Sequence, residues 1–295
     1  MKGIAGFYFV KSGETVYRCK ARGLFKQQGM KPAVGDRVSF EPPGGEEDDG
    51  VITAILPRKN CFVRPFVSNV DCFVIVASAV RPEPSTQVID KLLAMAEMAD
   101  TEAVLCITKC DLARKENRTG LRGRENLEKL KRIYEPVYPI VCTEKDGEED
   151  LEVLREHLRG KISALAGPSG VGKSSLLNRL LRQKRMETGG ISEKSQRGRH
   201  TTRHAELFDL DEEGSLLFDT PGFTSFDLPE AEPEDLAALF PEMAEAGGEC
   251  RFDNCRHLAE PGCRVKAAVE EGRIPKERYE SYCAMYREAE ERRKR

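Results

Sequence analysis

Short apolar runs alternate with helix-like segments through the middle of the chain. The runs span Asp71 to Val80, Ala103 to Ile107 and Ile162 to Ala166, and residues 88–98 repeat apolar side chains at helical spacing. Strands that are apolar on both faces are typical of parallel sheets covered by helices. The alternation therefore predicts a central α/β domain, which we place at residues 66–226.

The first 65 residues carry a different pattern, with four short β-type runs separated by turn-rich segments. This spacing predicts a small β-barrel of the five-stranded OB type. The segment holds eleven Lys and Arg against seven Asp and Glu, with aromatic residues nearby. Basic grooves lined by aromatic rings bind single-stranded RNA, so RNA contact is one interpretation. A docking module without RNA contact is the other.

The last segment, residues 227–295, combines a cysteine cluster with a helical tail. The pattern C-x4-C-x-H-x5-C is formed by Cys250, Cys255, His257 and Cys263. Three thiolates and one imidazole complete the tetrahedral shell of a structural zinc ion, so we predict one Zn²⁺ here; free thiols are the alternative. The tail from Tyr279 has helical spacing and ends in basic residues, which indicate either a basic clamp or cations that face the dipole at a helix end.

Composition narrows the class of protein. Charged residues make up 33% of the 295 residues, but the net charge is only -3, so any nucleic-acid contact must be local. No run of about 18 apolar residues exists, and the N-terminus lacks the pattern of a secretory signal. We therefore expect a soluble, cytoplasmic protein without membrane contact. Only one group among the ten cysteines is clustered, which favours reduced thiols and one metal site over disulfides.

The apolar run at residues 162–166 leads into a phosphate-binding motif. The pattern G-x-x-x-x-G-K-[ST] is matched by Gly167-Pro168-Ser169-Gly170-Val171-Gly172-Lys173-Ser174, and helical spacing follows from Ser175. In this context backbone N–H groups face an anion at a helix N-terminus, Lys173 reaches the outer phosphates and Ser174 ligates Mg²⁺. We assign residues 167–175 to nucleotide binding; a glycine-rich turn before an ordinary helix is the alternative.

The run at residues 103–107 ends in Thr108-Lys109-Cys110-Asp111, which is similar to the guanine-reading motif N-K-x-D. In that motif the Asp carboxylate accepts hydrogen bonds from the guanine N1–H and 2-amino group, and the Lys stem lies over the base. Ligand loops in doubly wound sheets lie at the carboxyl ends of strands, as this one does. Thr108 replaces the usual Asn. Its hydroxyl can make fewer bonds to the phosphate loop, so we expect lower affinity but an unchanged choice of guanine.

A further strand, predicted at residues 137–141, ends at Cys142-Thr143. Guanine-nucleotide-binding proteins have a small loop at this place, whose main-chain N–H groups face the O6 atom of guanine and whose sequence is more often Ser-Ala. We assign Cys142 and Thr143 to this loop. Helices predicted at about residues 125–132 and 151–158 flank the strand and continue the alternation.

A hairpin over residues 205–218 leads into a second motif, Asp219-Thr220-Pro221-Gly222, which resembles a phosphate-sensing loop. In this interpretation Asp219 holds Mg²⁺ through water, and the Gly222 N–H responds to the γ-phosphate. A simple turn is the alternative reading of these four residues.

The polar segment at residues 198–203 offers Thr201 or Thr202 as a further ligand of Mg²⁺. Phe223 stands where many GTPases carry the Gln that orients the attacking water, and a phenyl ring cannot do this. We therefore assign His200 to placing the water, ahead of His204. Contact between this basic segment and RNA phosphates is the alternative.

The order of the motifs is unusual, because the base-reading motif precedes the phosphate loop. Ordinary small GTPases have the phosphate loop first, then the first switch, D-x-x-G and N-K-x-D. The chain is therefore predicted to be circularly permuted, a change that costs little when the cut falls in an exposed loop. The Asp219 motif now leads straight into the C-terminal segment, so we expect hydrolysis to reposition that segment.

With the motifs in this order, the chain resembles the circularly permuted GTPases of the RsgA family, also called YjeQ or YloQ. The resemblance covers essentially the whole length and rests on T-K-C-D, G-P-S-G-V-G-K-S, G-R-H-T-T, D-T-P-G and the cysteine cluster. It implies a multidomain protein. The domains are an N-terminal OB-fold β-barrel (1–65), a central α/β circularly permuted P-loop GTPase domain (66–226) and a C-terminal helical zinc-binding domain (227–295).

The resemblance also implies an activity and partners. Members of this family assist late maturation of the small ribosomal subunit, contact its rRNA, and have low GTPase activity that the subunit stimulates. We expect GTP or GDP, Mg²⁺ and one Zn²⁺ as cofactors, a monomeric state, and catalytic roles for Lys173, His200 and Gly222. Two alternatives stay open: an ATP-using P-loop protein in which T-K-C-D is accidental, and an RNA-binding assembly protein with a vestigial nucleotide site.

Overall fold

The computed structural model describes residues 1–4, 6–27, 29–45, 48–187, 205–223 and 231–294, without the side chains of residues 26, 27, 182–187 and 220–222. The chain forms two compact units. The first comprises Met1–Cys72, Arg155–Leu165 and Ser174–Phe223, and the second comprises Phe73–Leu154, Ala166–Lys173 and Thr224–Arg295.

Strands and helices are numbered in chain order. The strands are β1 (Lys2–Ile4), β2 (Phe7–Ser12), β3 (Thr15–Ala21), β4 (Val38–Glu41), β5 (Gly50–Ile55), β6 (Cys61–Val63), β7 (Phe66–Ser68), β8 (Cys72–Ser78), β9 (Glu102–Thr108), β10 (Ile140–Cys142), β11 (Ile162–Ala166), β12 (Glu206–Asp209) and β13 (Leu216–Phe223). The helices are α1 (Gly23–Gln27), α2 (Thr86–Met98), α3 (Cys110–Ala113), α4 (Arg118–Tyr134), α5 (Glu148–Leu158), α6 (Lys173–Glu187), α7 (Pro241–Gly247), α8 (Arg264–Glu270) and α9 (Lys276–Arg293), with a 3-10 helix at Pro233–Leu239.

The first unit contains the predicted N-terminal β module. Its five strands lie in the order β1-β2-β3-β5-β4, with β3 and β5 parallel and the other neighbours antiparallel. Cys19, Phe25 and Ile52 form its buried centre. The four runs predicted from the alternation of side chains all form strands, and β1 is an addition that its three residues are too short to indicate.

The same sheet continues from the N-terminal strands into the hairpin β12-β13 and then β11. Lys2 lies opposite Glu206, and their side chains form an ion pair of 2.9 Å. The Leu207 N–H donates to the Met1 carbonyl at 2.8 Å. This pairing joins strands that are about 200 residues apart, and such a register leaves no local pattern from which it can be predicted.

The second unit contains strands in the order β10-β9-β8, with β9 and β10 parallel. All seven residues of β8 are buried, as the continuous apolar run predicted. Helix α2 begins where the Ser85 side chain accepts a hydrogen bond from the Val88 N–H at 3.4 Å. Its buried face includes Ile89, Leu92 and Leu93, so the predicted helical periodicity is confirmed.

Two elements of the second unit differ from their predicted bounds. Strand β10 begins at Ile140 instead of residue 137, because the Val137 and Tyr138 N–H groups both donate to the Tyr134 carbonyl in a turn. Helix α4 is longer than predicted, since the Asn117 side chain caps it by accepting from the Gly120 N–H at 2.9 Å. Glycines within it weaken the helical signal.

The glycine at position 123 is required by close packing of α4. A Cβ atom there would lie 2.7 Å from Val80 Cγ1 and 3.0 Å from the Ala113 Cα. Real side chains do not tolerate such distances, so the helix approaches its neighbours only because this residue has no side chain.

Strand β13 is also longer than predicted. It was expected to end at residue 218, before Asp219-Thr220-Pro221-Gly222, but it runs to Phe223. The antiparallel ladder with β12 extends to the pair Glu206 and Asp219, so the strand includes the first residue of the motif.

The C-terminal elements pack around a core of their own within the second unit. Phe240, Met243, Tyr282, Met285 and Tyr286 are buried in this core, which also includes Ala94 of α2. The tail helix predicted from Tyr279 is confirmed and begins at Lys276. Within the part of the chain that the structure describes, no helix is long and apolar enough to cross a membrane.

Candidate functional site

The phosphate motif forms the loop between β11 and the fifteen-residue helix α6. Gly167 has a φ of 145°, and a Cβ atom on it would lie 2.3 Å from the Val76 carbonyl oxygen of β8. No other residue fits here, because both the conformation and the contact exclude a side chain. Gly170 and Gly172 also have positive φ angles. The pattern of glycines in the motif is therefore explained by the shape of the loop.

Lys173 folds back over this loop. Its Nζ donates to the Gly167 carbonyl at 2.5 Å and to the Pro168 carbonyl at 2.8 Å. Burial lowers the pKa of Lys173 from its ordinary value. A half-buried ammonium held at the start of a helix is suited to an anionic ligand, which would compensate for its lost hydration.

The T-K-C-D loop lies directly against the phosphate loop. The Thr108 hydroxyl is 2.5 Å from the Val171 carbonyl and 3.1 Å from the Ala77 carbonyl. A hydroxyl carries one proton, so it donates to one of these oxygens at a time. Thr108 therefore supplies the link to the phosphate loop, with a single donor, as the sequence indicated.

Lys109 makes a second link between the two loops. It has a left-handed φ of 62°, and its Nζ donates to the carbonyls of Gly170, at 2.8 Å, and of Arg81. Burial lowers the pKa of this lysine as well. Asp111 is half-buried in the first turn of α3. Residues separated by about 60 positions are thus held together by side-chain bonds to main-chain carbonyls.

The Cys142-Thr143 segment runs beside the T-K-C-D loop. The Thr143 N–H donates to the Ile107 carbonyl at 2.7 Å, and the Cys110 N–H donates to the Thr143 carbonyl at 3.2 Å. Thr143 is buried and Cys142 is half-buried. The structure therefore brings together all six residues that were predicted to contact the base. The part of the phosphate loop that ends at Lys173 belongs to the same group of contacts.

The structure describes only some of the predicted magnesium ligands and of the remaining predicted site residues. Ser174 and Ser175 have exposed side chains in the first turn of α6, and Asp219 is half-buried in β13. Gly222 lies in β13. The predicted catalytic His200 and the predicted ligands Thr201 and Thr202 lie outside the described residues.

The cysteine cluster has the geometry of a closed metal site. One ligand atom from each of Cys250, Cys255, His257 and Cys263 lies within 4.8 Å of the others. The Cys250 and Cys263 sulfurs are 3.9 Å apart, and His257 Nδ1 lies 3.6 and 3.4 Å from them. Tetrahedral zinc requires edges of about 3.8 Å between sulfurs and about 3.5 Å between sulfur and nitrogen. The three edges between Cys250, Cys263 and His257 Nδ1 match these values, and the Cys255 sulfur lies within 4.8 Å of the same atoms, so the cluster is suited to Zn²⁺.

Neighbouring groups favour the forms of these side chains that bind a metal ion. The Arg264 N–H donates to the Cys250 sulfur at 3.3 Å, and the Lys266 N–H donates to the Cys263 sulfur at 3.5 Å, at the start of α8. Burial lowers the pKa of His257, which keeps the imidazole neutral and able to bind metal. The Tyr279 hydroxyl donates to the His257 carbonyl at 2.7 Å and fastens the ligand loop to α9.

Two family models match this chain. The model described as RsgA GTPase covers residues 55–229, and the model described as RsgA N-terminal domain covers residues 1–52. Together they account for the phosphate loop, the T-K-C-D loop and the β module. The chain belongs to the RsgA GTPase family.

Curated and solved RsgA relatives align with nearly the full chain. Proteins named small ribosomal subunit biogenesis GTPase RsgA are 40% identical in Agathobacter rectalis, over 100% of this chain and 98% of the relative, and 43% identical in Carboxydothermus hydrogenoformans, over 98% and 96%. The crystal structure of YjeQ from Thermotoga maritima superposes with a TM-score of 0.80 at 39% identity, covering 97% of this chain and 95% of the other.

A second solved relative bears on the order of the motifs. YloQ, described as a circularly permuted GTPase, superposes with a TM-score of 0.79 at 32% identity, covering 99% of this chain and 93% of that one. The predicted RsgA fold, with an N-terminal domain before a circularly permuted GTPase domain, is therefore confirmed.

One charged group that the sequence analysis missed joins the C-terminal elements of this chain to α2. Arg278 is 1% exposed; its Nη1 lies 2.8 Å from Asp90, and its Nε and Nη2 bind both oxygens of Glu242 at 2.6 and 3.0 Å. Burial opposes the charge, but Asp90 and Glu242 outweigh it and raise the pKa of Arg278. A lone Arg in a charge-rich helix gives no sequence signal of such burial.

Proposed function

We propose that this protein is a GTPase that binds the small ribosomal subunit, assists its late maturation, and hydrolyses GTP to GDP and phosphate to drive its own release. The observation that carries the nucleotide part is the pair of links from Thr108 and Lys109 to the phosphate loop. These links hold the T-K-C-D loop against the phosphate loop, which supports a shared guanine-nucleotide site. The ribosomal part is supported by the names of the relatives.

In this proposal each loop binds a different part of the nucleotide. The Asp111 carboxylate accepts from the N1–H and 2-amino group of guanine, the Lys109 stem lies over the base, and main-chain N–H groups of Cys142 and Thr143 face O6. Residues 167–175 bind the phosphates. Adenine lacks the two donors that Asp111 needs, so the pocket prefers guanine.

The chemistry of hydrolysis is positioning and charge stabilisation. Lys173 and the N–H groups of the phosphate loop spread the negative charge that develops on the γ-phosphate, and Gly222 responds to its presence. His200 orients the attacking water. Ser174, Asp219 and either Thr201 or Thr202 would hold Mg²⁺, which neutralises phosphate charge when bound.

The N-terminal strands supply a surface suited to rRNA. Arg18 and Lys20 each lie 5.2 Å from the centre of the Phe7 ring, and Lys2 lies 5.2 Å from that of Phe9. More than half of the Arg18 and Lys20 side chains is exposed, although both pair with Asp49. Cations next to aromatic rings bind single-stranded RNA through phosphates and stacked bases.

The proposal includes the organisation of the protein. An OB-fold barrel at residues 1–65 contacts rRNA, a circularly permuted GTPase domain at 66–226 binds GTP, and a helical domain at 227–295 holds one Zn²⁺ in a structural site. The protein acts as a monomer in the cytoplasm, where small subunits are assembled.

Phosphate release from GTP, measured with and without purified small subunits, tests the function. Wild type should release phosphate slowly alone and faster with subunits. Ser174→Ala should lose most of both rates, because a Mg²⁺ ligand is removed. Thr119→Ala, an exposed position on α4, is the matched control and should behave as wild type. A rate that stays flat when subunits are added would instead favour an RNA-binding assembly protein with a vestigial nucleotide site.

A further inference from the structure

Two cysteines face each other on the two loops that form the proposed base pocket. Cys110 begins α3 and immediately precedes Asp111, and Cys142 ends β10 and immediately precedes Thr143. Strands β9 and β10 run parallel, with Cys142 opposite Ile107. Main-chain bonds from Thr143 N–H to Ile107 and from Cys110 N–H to Thr143, of 2.7 and 3.2 Å, fix the two segments side by side.

The thiols of Cys110 and Cys142 are close enough for each to affect the ionisation of the other. The Cys110 thiol is buried and also lies 3.2 Å from the Ile107 carbonyl, whereas the Cys142 side chain is half-buried. Cys142 is therefore the more exposed residue of the pair, and Cys110 is shielded beside it. This is the arrangement of an attacking thiol and a resolving thiol.

The surroundings favour ionisation of one thiol over the other. The neighbouring Cys110 thiol lowers the pKa of Cys142 to about 7, while burial acts in the opposite direction. Lys131 of α4 adds to the lowering, whereas Glu135 beside α4 and Asp150 of α5 oppose it. The contact with Cys142 and burial raise the pKa of Cys110. Near neutral pH a substantial fraction of Cys142 is the nucleophilic thiolate.

We propose that Cys110 and Cys142 form a reversible disulfide that controls guanine-nucleotide binding. The inference rests on the proposed function of this pocket. The oxidant is a hydroperoxide: the Cys142 thiolate attacks the outer peroxide oxygen, the O–O bond breaks, and a sulfenic acid forms as the leaving oxygen takes up a proton. Cys110 then attacks the sulfenic sulfur, forming the S–S bond, and its proton leaves with the hydroxide as water. A dithiol reductant reverses the change.

The disulfide would deform the pocket. Its S–S length of about 2.05 Å is much shorter than a contact between two thiols, so forming the bond must draw the two side chains together and pull on the segments that carry them. The residue after each sulfur, Asp111 or Thr143, contacts the base in our proposal. Losing the geometry of one charge-assisted hydrogen bond to guanine should weaken GDP binding about tenfold. In a reducing compartment such disulfides are transient and serve in catalysis or redox sensing.

The experiment uses the full chain loaded with zinc and treated with hydrogen peroxide. Digestion with trypsin should yield residues 110–114 linked to residues 133–145, with the mass of the two peptides less two hydrogen atoms. The Kd for fluorescent GDP should rise about tenfold and return after dithiothreitol. Because the thiolate is the nucleophile, the initial rate of linkage should rise as the pH increases through about 7.

Cys142→Ser is the matched control, and Cys110→Ala is the second variant. For each variant the Kd for GDP is compared before and after peroxide, so a different affinity of the reduced variant does not affect the test. Oxidation of the zinc ligands would affect the wild type and both variants equally. Neither variant should change its Kd after peroxide. The inference is overturned if the linked peptides are absent, if they form without a change in the Kd, or if the variants respond as wild type does.

Failure of the proposed function would look different. A reduced wild-type protein that does not bind GDP would contradict both the pocket and its control by oxidation, whether or not the linked peptides form. A reduced protein that binds GDP but yields no linked peptides would contradict the disulfide alone.

Discussion

At the scale of single residues, Thr108 decides how the two nucleotide loops are joined. Its hydroxyl lies between the carbonyls of Ala77 and Val171, inside a buried environment. The usual Asn has two amide protons and could serve two acceptors at once, whereas Thr can serve only one. With Thr in place of Asn, one hydrogen bond to a carbonyl is lost, but the link between the two loops is kept.

Replacing Thr108 by Val should weaken GDP binding. The change leaves the Val171 carbonyl without this donor, at a cost of about 1 to 3 kcal/mol, so the Kd should rise roughly 5- to 150-fold. Thr108→Ser keeps the hydroxyl and should stay close to wild type. Titration with fluorescent GDP measures both; an unchanged Kd in the Val variant would show that the link does not support the pocket.

Motif residues could be located from the sequence because their chemistry imposes a fixed spacing. The phosphate loop, the T-K-C-D loop and the Cys142-Thr143 segment all lie where the spacing placed them. The Lys109 bond to the Gly170 carbonyl and the contact between the Cys110 and Cys142 thiols could not be predicted. Both depend on how two loops pack against each other, and the sequence of neither loop indicates its contacts with the other.

At the scale of elements, the buried Arg278 joins α9 to α2 and α7. It lies over the rings of Phe240, Tyr138 and Tyr134 at 4.6, 5.6 and 5.7 Å, in addition to its two carboxylate partners. The Tyr134 hydroxyl donates to the same Asp90 oxygen at 2.9 Å. The C-terminal elements are therefore held on α2 by a desolvated charge network as well as by apolar packing.

Arg278→Met should destabilise the fold strongly. It leaves the charges of Asp90 and Glu242 without their partner in a buried place, and such a loss costs about 3 to 5 kcal/mol. Arg132→Met is the control. Arg132 pairs with Glu277 on the surface at 2.6 Å, and its side chain is 59% exposed. Exposed ion pairs contribute about 1 kcal/mol or less to stability. Urea unfolding measures both free energies. Similar losses in the two variants would contradict the proposed role of burial.

The zinc cluster fixes the loop between α7 and α8. We expect one Zn²⁺ per chain by metal analysis, and Cys255→Ser should lose the metal and several degrees of melting temperature, because metal binding contributes directly to folding. Cys283→Ser lies outside the cluster and should retain one Zn²⁺. Full metal content in the Cys255 variant would show that the four side chains do not act together.

Element types were predictable where periodicity was strong, as in α2, β8 and β9. Bounds were less predictable, because they depend on local hydrogen bonds. The Tyr134 carbonyl holds a turn where a strand was expected, and the Asn117 cap starts α4 early. The hairpin β6-β7 and the pairing of β1 with β12 were missed because three-residue strands have too few side chains to show a period.

At the scale of the whole molecule, the permuted order links the Asp219 motif to the C-terminal elements. The sequence led us to expect that hydrolysis repositions residues 227–295. Within the second unit, however, α9 is fastened to α2 by the Arg278 network and by the ion pair of Lys91 and Glu288 at 2.7 Å. Breaking these contacts at each turnover would cost several kcal/mol.

Hydrogen exchange can test directly whether α9 is repositioned when GTP is hydrolysed. We now expect α9 to show equal protection with GDP and with a non-hydrolysable GTP analogue, because its contacts with α2 persist. Changes should instead be found in the β9 to α3 and phosphate-loop segments, which contact the nucleotide in our proposal. Clearly different protection of α9 in the two forms would support repositioning of the C-terminal elements.

The central claim is that loops far apart in a permuted chain form one guanine pocket, and competition for fluorescent GDP tests it most directly. Wild type should be displaced by GDP at least about a hundredfold better than by ADP or xanthosine diphosphate. Asp111→Asn should reverse the preference, because an amide can donate to the 2-oxo group of xanthine. Binding of xanthosine diphosphate would also show that the variant is folded. A variant that still prefers GDP as wild type does, or a wild type displaced equally by ADP, would contradict the account.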